Sequence, residues 1–302
     1  MDKIKSYGLM VFATLLFAGA FVAGKLSAAN FTPVMTTFLR IGLATLILFP
    51  FMILKEGKHW LPSKGELILG IQMGIIGMTF YHLFFFTALK YTSVTNASVI
   101  NGSMPVITAL LAWVFLKEKL TRRKIFYILL AFLGVVLTIT NWKVSVIAKM
   151  TFNKGDLLML CGTISWASYG ILTKKYSKDT SPIKLMAYAL LVCTLVVAPF
   201  ALREVVLYKS LSVPLENYYS IVYMALLPTV VGYTIQQKAI RDLGPSTAAL
   251  FINLVPIFSI VLSVIILDEK VKPLTYVSGL IIIFAVYRYT KIRQKKTDFV
   301  RN

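Results

Sequence analysis

Acidic side chains are scarce in this chain: 12 Asp and Glu stand against 32 Lys and Arg in 302 residues, with only 2 His and 2 Cys. The two cysteines, Cys161 and Cys193, both fall inside apolar runs, so a disulfide framework and a structural metal site are excluded and two inert buried thiols are expected. Charge of either sign amounts to 15% of the chain and apolar residues to 58%, where soluble domains run at about 25% and roughly 45–50%. That is more apolar surface than one core in water hides. The charges gather in short patches, and the runs between them approach the ~20 residues needed to cross a ~30 Å hydrocarbon layer.

Ten such runs are predicted to span, at residues 6–25, 33–54, 66–90, 94–116, 123–141, 155–174, 182–202, 217–240, 246–267 and 271–290. Inside lipid the backbone must satisfy itself, and no alternating pattern of a β-barrel strand occurs, so each run is read as a helix. The fold class expected is an all-α polytopic membrane protein. A formal charge of +20 suggests nucleic acid at first sight, but Lys and Arg sit beside span ends instead of forming one arm or face, which excludes that partner. With both termini placed in the cytoplasm, cytoplasmic segments hold more than twice the Lys and Arg of external ones. The tail Lys291, Arg293, Lys295, Lys296 and Arg301 then anchors the C-terminus inside, in a cell (inner) membrane. Residues 7–24 resemble a signal peptide ending near Ser27-Ala28-Ala29, yet the repeat described next argues that the segment is retained.

The second half of the chain repeats the first. Thr32-Pro33 recurs as Ser181-Pro182 and Pro50-Phe51 as Pro199-Phe200 at an offset of 149; Ala97 matches Ala248, Pro105 matches Pro256, and Lys117-Glu118-Lys119 matches Asp268-Glu269-Lys270 at 151. Thr14 to Lys25 aligns with Thr163 to Lys174, setting Phe17 on Trp166. The expected domains are residues 1–150 and 151–302, five spans each. An odd number of spans makes the second half enter the membrane from the opposite face, so the repeat is inverted. Such halves close one side while opening the other by exchanging conformations. A duplication that merely enlarges a scaffold is the plainer alternative.

Several stretches carry a resemblance: Tyr81-His82-Leu83-Phe84-Phe85-Phe86-Thr87-Ala88-Leu89-Lys90-Tyr91, the run Asn96-Ala97-Ser98 leading to Pro105, Leu116-Lys117-Glu118-Lys119, and their counterparts through Pro256 and Glu269. In their order and duplication the chain resembles the drug/metabolite transporter superfamily, in its ten-helix EamA-type branch. The resemblance implies two inverted five-helix halves moving metabolites in one direction or the other, export being the direction it favours, and leaves the metabolite open.

Polar groups inside spans mark the path a solute takes, because a charge at the bilayer centre costs about 2.5–3.5 kcal/mol even on the lenient insertion scale. Arg40, seven residues into span two, and His82, eight from the end of span three, share a depth of ~10–12 Å below the outer edge. Asn101 lies near that level, and the three form an outer vestibule whose best anion donor is Arg40. Under the repeat, Tyr233 corresponds to His82, and Asn253 lies one residue beyond the match of Asn101. With Gln236 and Gln237 they form an inner vestibule. The two meet at span six, where Trp166 and Tyr169 share a face, opposite Phe17 and Phe21 of span one; Tyr81 precedes His82 on the wall. Such a waist suits a flat or amphipathic solute. Each residue has a plainer role beside it: His82 bonding a neighbouring helix, Arg40 snorkelling outward, Trp166 packing in the core. Pro105 and Pro256 are expected as kinks within spans four and nine, lining a cavity or improving packing. Glu118 and Glu269 close those spans among lysines, where ion pairing or helix-end electrostatics competes with gating. Gly70, Gly74 and Gly77 form a stripe for close helix packing.

No carboxylate lies deep within a span, which argues for facilitated diffusion or exchange over strong ion coupling. The expected partners are a small-molecule solute and the lipid bilayer; no cofactor is implied, and the oligomeric state is left open, a monomer included. An intramembrane enzyme is the rival class, but Gly-x-Ser-x-Gly, His-Glu-x-x-His and paired membrane carboxylates are lacking. A membrane sensor or scaffold is a third class, and among transporters a carrier of cationic drugs competes. Neutral or zwitterionic solutes rank first because Arg40 and His82 offer donors and no deep carboxylate awaits a cation.

Overall fold

The computed structural model describes residues 3–28, 30–91, 100–140, 142, 143, 145, 153–176, 180–208, 213–255, 257, 258, 261, 262, 265 and 273–292, and among them there is no strand. In chain order the helices are α1 (Lys3–Ala28), α2 (Pro33–Glu56), α3 (Lys64–Gln72), a π-helical segment (Met73–Phe80), α4 (Tyr81–Tyr91), α5 (Met104–Leu116), α6 (Arg122–Thr140), α7 (Lys154–Tyr176), α8 (Pro182–Tyr208), α9 (Glu216–Met224), a second π-helical segment (Ala225–Gly232), α10 (Tyr233–Leu243), α11 (Pro245–Phe251) and α12 (Pro273–Lys291). Polar signals fix their ends. The Thr32 side chain accepts from Met35 N ahead of Pro33 at the start of α2, and Ser63 with Glu66 forms a capping box on α3. Gly244, at φ +92, makes the turn between α10 and α11 that a residue with a Cβ resists.

The protein is an integral membrane protein. Four helical stretches, Pro33–His59, Lys64–Ala88, Pro182–Leu207 and Tyr218–Leu243, are long and apolar enough to cross a bilayer. Large apolar side chains such as Leu46, Leu54, Leu195, Phe200, Val206 and Leu280 point outward and are exposed. Spread over the surface this way they suit lipid, where water would penalise them.

Helices at matching places in the two halves pack on each other, and they run antiparallel. Along α2 and α8, Thr32 bonds Glu204, Thr45 Oγ1 meets Thr194 Oγ1 at 2.9 Å, and Phe49 stacks edge-on against Tyr188 with centroids 5.6 Å apart. Residue numbers rise on one helix as they fall on the other. The same holds for α6 and α12: Trp142, just past α6, donates from Nε1 to Leu274 O (3.1 Å) and Ser278 Oγ (2.8 Å), while at the other end Arg288 Nε donates to Tyr127 (3.3 Å) and Lys124 lies over the Tyr289 ring. The first helix of each half crosses over: α1 packs on α9, the second π segment and α10, and α7 packs on the first π segment and α4.

The glycine stripe packs as its spacing suggests. A Cβ on Gly70 would stand 2.9 Å from Tyr188 Cβ, one on Gly74 2.8 Å from Ala189 O, and one on Gly77 2.6 Å from Tyr169 Cβ. Backbones therefore approach to a distance that only glycine permits.

One expectation about span four changes. Pro105 does not kink a continuous helix. The chain turns at Ser103, whose hydroxyl donates to Ile100 O, and α5 restarts at Met104 with Pro105 in its first turn. There the missing N–H has no helical partner to lose, so the proline starts a helix. In span nine the helix tightens to 3₁₀ at Ile252–Leu254, the matching place. Pro256 and Glu269 lie outside the described residues.

Candidate functional site

The two π-helical segments occupy equivalent places, and each delivers an aromatic or polar pair to the centre of the molecule. A π turn bonds i to i+5 and so holds one residue more than an α turn; such insertions frequently mark functional sites. Each segment has a threonine that reinforces this spacing: Thr79 Oγ1 donates to Gly74 O (2.9 Å) and Thr229 Oγ1 to Met224 O (2.7 Å). In the second segment the reason is visible in the sequence. Pro228 lacks the N–H that would reach the Met224 carbonyl four residues back, and the hydroxyl of the next residue satisfies that carbonyl instead.

From Thr229 a hydrogen-bonded chain crosses between the halves. Arg40 of α2, buried at 7% exposure, donates from Nε to Thr229 Oγ1 (2.9 Å) and from NH2 to the Tyr233 hydroxyl (3.2 Å), and its guanidinium lies 5.7 Å from the Tyr233 ring centroid. The Tyr233 hydroxyl in turn is 3.3 Å from His82 Nε2, and His82 Nδ1 is 2.7 Å from Met78 O. A carbonyl only accepts, so Nδ1 carries hydrogen and Nε2 takes the hydrogen of Tyr233. Every donor then points away from Arg40, toward Met224 O on one branch and Met78 O on the other.

Around this chain stands a wall of rings. Trp166 stacks on Tyr169 (5.2 Å, 18°) and lies 4.7 Å from Tyr81 and 4.9 Å from Tyr233, while Phe17 packs 5.6 Å from Tyr233. Trp166 also lines a narrow, partly open cleft with Met104, Thr108, Gly170, Gln236 and Pro245, with room for on the order of one water. Gln236 Oε1 and Thr108 Oγ1, both 97% buried, find no hydrogen-bond partner there among the described residues.

The structure thus brings together Arg40, Tyr81, His82, Trp166, Tyr169 and Tyr233, with Gln236 one turn beyond. It merges what the sequence suggested as an outer and an inner vestibule: depths of ~12 Å from each face leave only ~6 Å between His82 and Tyr233 across a ~30 Å core, and two long side chains close that gap. Arg40 does not snorkel, and His82 does bond a neighbouring helix while belonging to the cluster. Asn101 and Asn253 stay outside the Arg40 network, each with one buried polar atom unpartnered among the described residues. The side chain of Phe21 is outside the described set. Glu118 meets no cation among the described residues; its carboxylate accepts from Ser246 Oγ (3.0 Å) and fits against Gly244, in the turn before α11. Thr229 and Pro228 are site residues that the sequence reading passed over, although a Pro-Thr pair inside an apolar run is a visible signal.

No Asp or Glu reaches this centre among the described residues: Glu66 pairs with Lys184 (2.9 Å), Asp242 with Arg241 (3.6 Å), and Asp156 caps α7 through Asn153 N (2.9 Å). Nor do the described residues contain a group of three His, Cys, Asp or Glu placed to hold a metal.

Known proteins resemble the chain over almost its whole length. The chain is 31% identical over 284 residues to an uncharacterized transporter, YyaM, of Bacillus subtilis, covering 92% of this chain and 91% of that protein. It is 30% identical over 286 residues to an uncharacterized transporter of Archaeoglobus fulgidus, covering 95% and 97%. A solved crystal structure superposes with a TM-score of 0.76 over 95% of this chain and 96% of its own, at 16% identity, which shows a common fold. The profile of the EamA-like transporter family matches twice, at residues 4–140 and 153–290. With both halves so matched, the chain belongs to the EamA-like transporter family.

Proposed function

We propose that the protein is an alternating-access carrier of small organic metabolites, amino-acid-like or amphipathic, in the cell membrane with both termini cytoplasmic. Two inverted five-helix halves, residues 1–150 and 151–302, enclose the solute between ten spans. One observation carries the reading: residues at equivalent places touch each other, Thr45 with Thr194 and His82 with Tyr233, and the first pair joins helices that run in opposite senses. Equivalent residues meet only at a pseudo-two-fold axis, and antiparallel partners set that axis in the membrane plane, the arrangement that lets two halves exchange conformations.

The solute binds where the axis meets the rings, between Arg40, Tyr81, His82, Trp166, Tyr169 and Tyr233, with Gln236 at its edge. Asn101 and Asn253 border the path. Pro105 and Pro256, with Glu118 and Glu269, serve as hinges and gates. On this reading the network closed by Tyr233 and the narrow cleft suit a nearly occluded conformation. Without a carboxylate at the centre among the described residues, flux runs by facilitated diffusion or exchange.

Two measurements test this. Reconstituted protein loaded with unlabelled solute shows saturable counterflow that an imposed pH gradient leaves unchanged; flux that follows the gradient and vanishes in His82→Ala overturns the uncoupled mechanism. Cysteine labelling places residues 1–5 and the segment around Lys149 on opposite faces, and finding them on one face ends the inverted arrangement.

A further inference from the structure

On the assumption that this centre is the carrier's binding site, its chemistry narrows the solute to the amphipathic class and away from free amino acids. Arg40 is a buried cation whose two hydrogen bonds among the described residues go to neutral hydroxyls, Thr229 and Tyr233. A buried charge of this kind is costly until an anion joins it. The guanidinium is a planar fork made for a carboxylate, and the hydroxyls that occupy it now each keep a second partner, the Met224 carbonyl and His82, when it turns away. No carboxylate among the described residues faces the same space, so an ammonium placed there would meet Arg40 and nothing to pair with.

One helical turn past Tyr233, on the same face of α10, Gln236 offers an unpartnered amide oxygen, and Thr108 of α5 an unpartnered hydroxyl, into the cavity that Trp166 also lines. Unsatisfied groups buried this deeply mark where a hydrogen-bonding partner is missing. Trp166 stands between the two poles, with Tyr81 and Tyr233 against its ring.

We infer that the site takes an aromatic or flat monocarboxylate without a free ammonium, its carboxylate on Arg40, its ring against Trp166, and a neutral hydroxyl or amide on Gln236 and Thr108. Zwitterions and amines of the same skeleton are rejected by the uncompensated positive charge.

Four probes on one skeleton test this with the purified full-length protein: 3-(4-hydroxyphenyl)propanoate, 3-phenylpropanoate, tyrosine and tyramine, followed by thermal shift and by tryptophan fluorescence that Trp166→Phe removes. The hydroxylated propanoate should bind at least tenfold tighter than tyrosine and tyramine. Arg40→Gln should abolish that charge preference, and Gln236→Leu should erase the advantage of the hydroxylated propanoate over 3-phenylpropanoate. Equal or tighter binding of tyrosine or tyramine overturns the inference in the wild-type protein alone, whether or not the variants fold, and so does millimolar failure of all four. Counterflow separates the two levels. Preference for the monoanion without flux removes the carrier reading and leaves the site; saturable flux of tyrosine or tyramine alone does the reverse.

Discussion

Arg40 contributes least to the fold of the residues at the centre and most to its chemistry. If it is truncated to Met, Thr229 keeps the Met224 carbonyl and Tyr233 keeps His82, so nothing is left unsatisfied while an unpaired charge disappears. Removing such a charge is neutral or stabilising, as in buried ion clusters replaced by apolar side chains. The expected outcome for Arg40→Met is an unchanged or higher melting temperature in detergent with solute binding weakened at least tenfold; a fall of several degrees would show that the charge holds the helices together. The glycines behave oppositely. Gly77→Ala sets a methyl against the Cβ of Tyr169 and should cost about 1–3 kcal/mol. Gly8→Ala meets nothing within 4 Å inside α1 and should stabilise by about 0.5–1 kcal/mol. Thermal unfolding of the two variants side by side checks both signs.

At the scale of elements, the π segments decide which side chains share the centre. Inserting one alanine in α geometry between Phe80 and Tyr81, where the π segment hands over to α4, would turn everything after it by about 100° and carry it on by about 1.5 Å. Tyr81 and His82 would then leave the face of Trp166. The protein should still insert, judged by its yield in membranes and its elution in detergent, and lose counterflow; retained counterflow would show that the register of α4 is immaterial. These segments were not legible in the sequence. Met73–Phe80 is apolar apart from Thr79, so one extra residue in a turn leaves no trace in hydrophobic periodicity, whereas Pro228 beside Thr229 is a readable sign of a strained turn. The glycine stripe was legible because its spacing matches a helix face and its neighbours supply the bulk. The meeting of His82 with Tyr233 was half legible: the repeat paired them, but counting depth from opposite edges held them apart. Pro105 misled because the turn that frees its nitrogen depends on the hydroxyl of Ser103, a bond between near neighbours that composition does not announce.

For the whole molecule, the proposed exchange between halves predicts that antiparallel packing of α2 on α8 and α6 on α12 separates points that move from points that stay. Sites far from the crossing, such as Thr32 beside Glu204, swing furthest when two halves trade shapes. A disulfide between Thr32→Cys and Glu204→Cys, with Cys161 and Cys193 replaced by Ala, should stop counterflow until reductant is added. Joining Thr45→Cys to Thr194→Cys in the same background should leave it running. Mass spectrometry confirms each bond, and arrest by the central bond would place the pivot elsewhere. The 2.9 Å contact of those two threonines has a mechanical meaning. Under the proposed mechanism it is the axle of a rocker, the still point about which the two rims exchange, with an amplitude set by the helix ends.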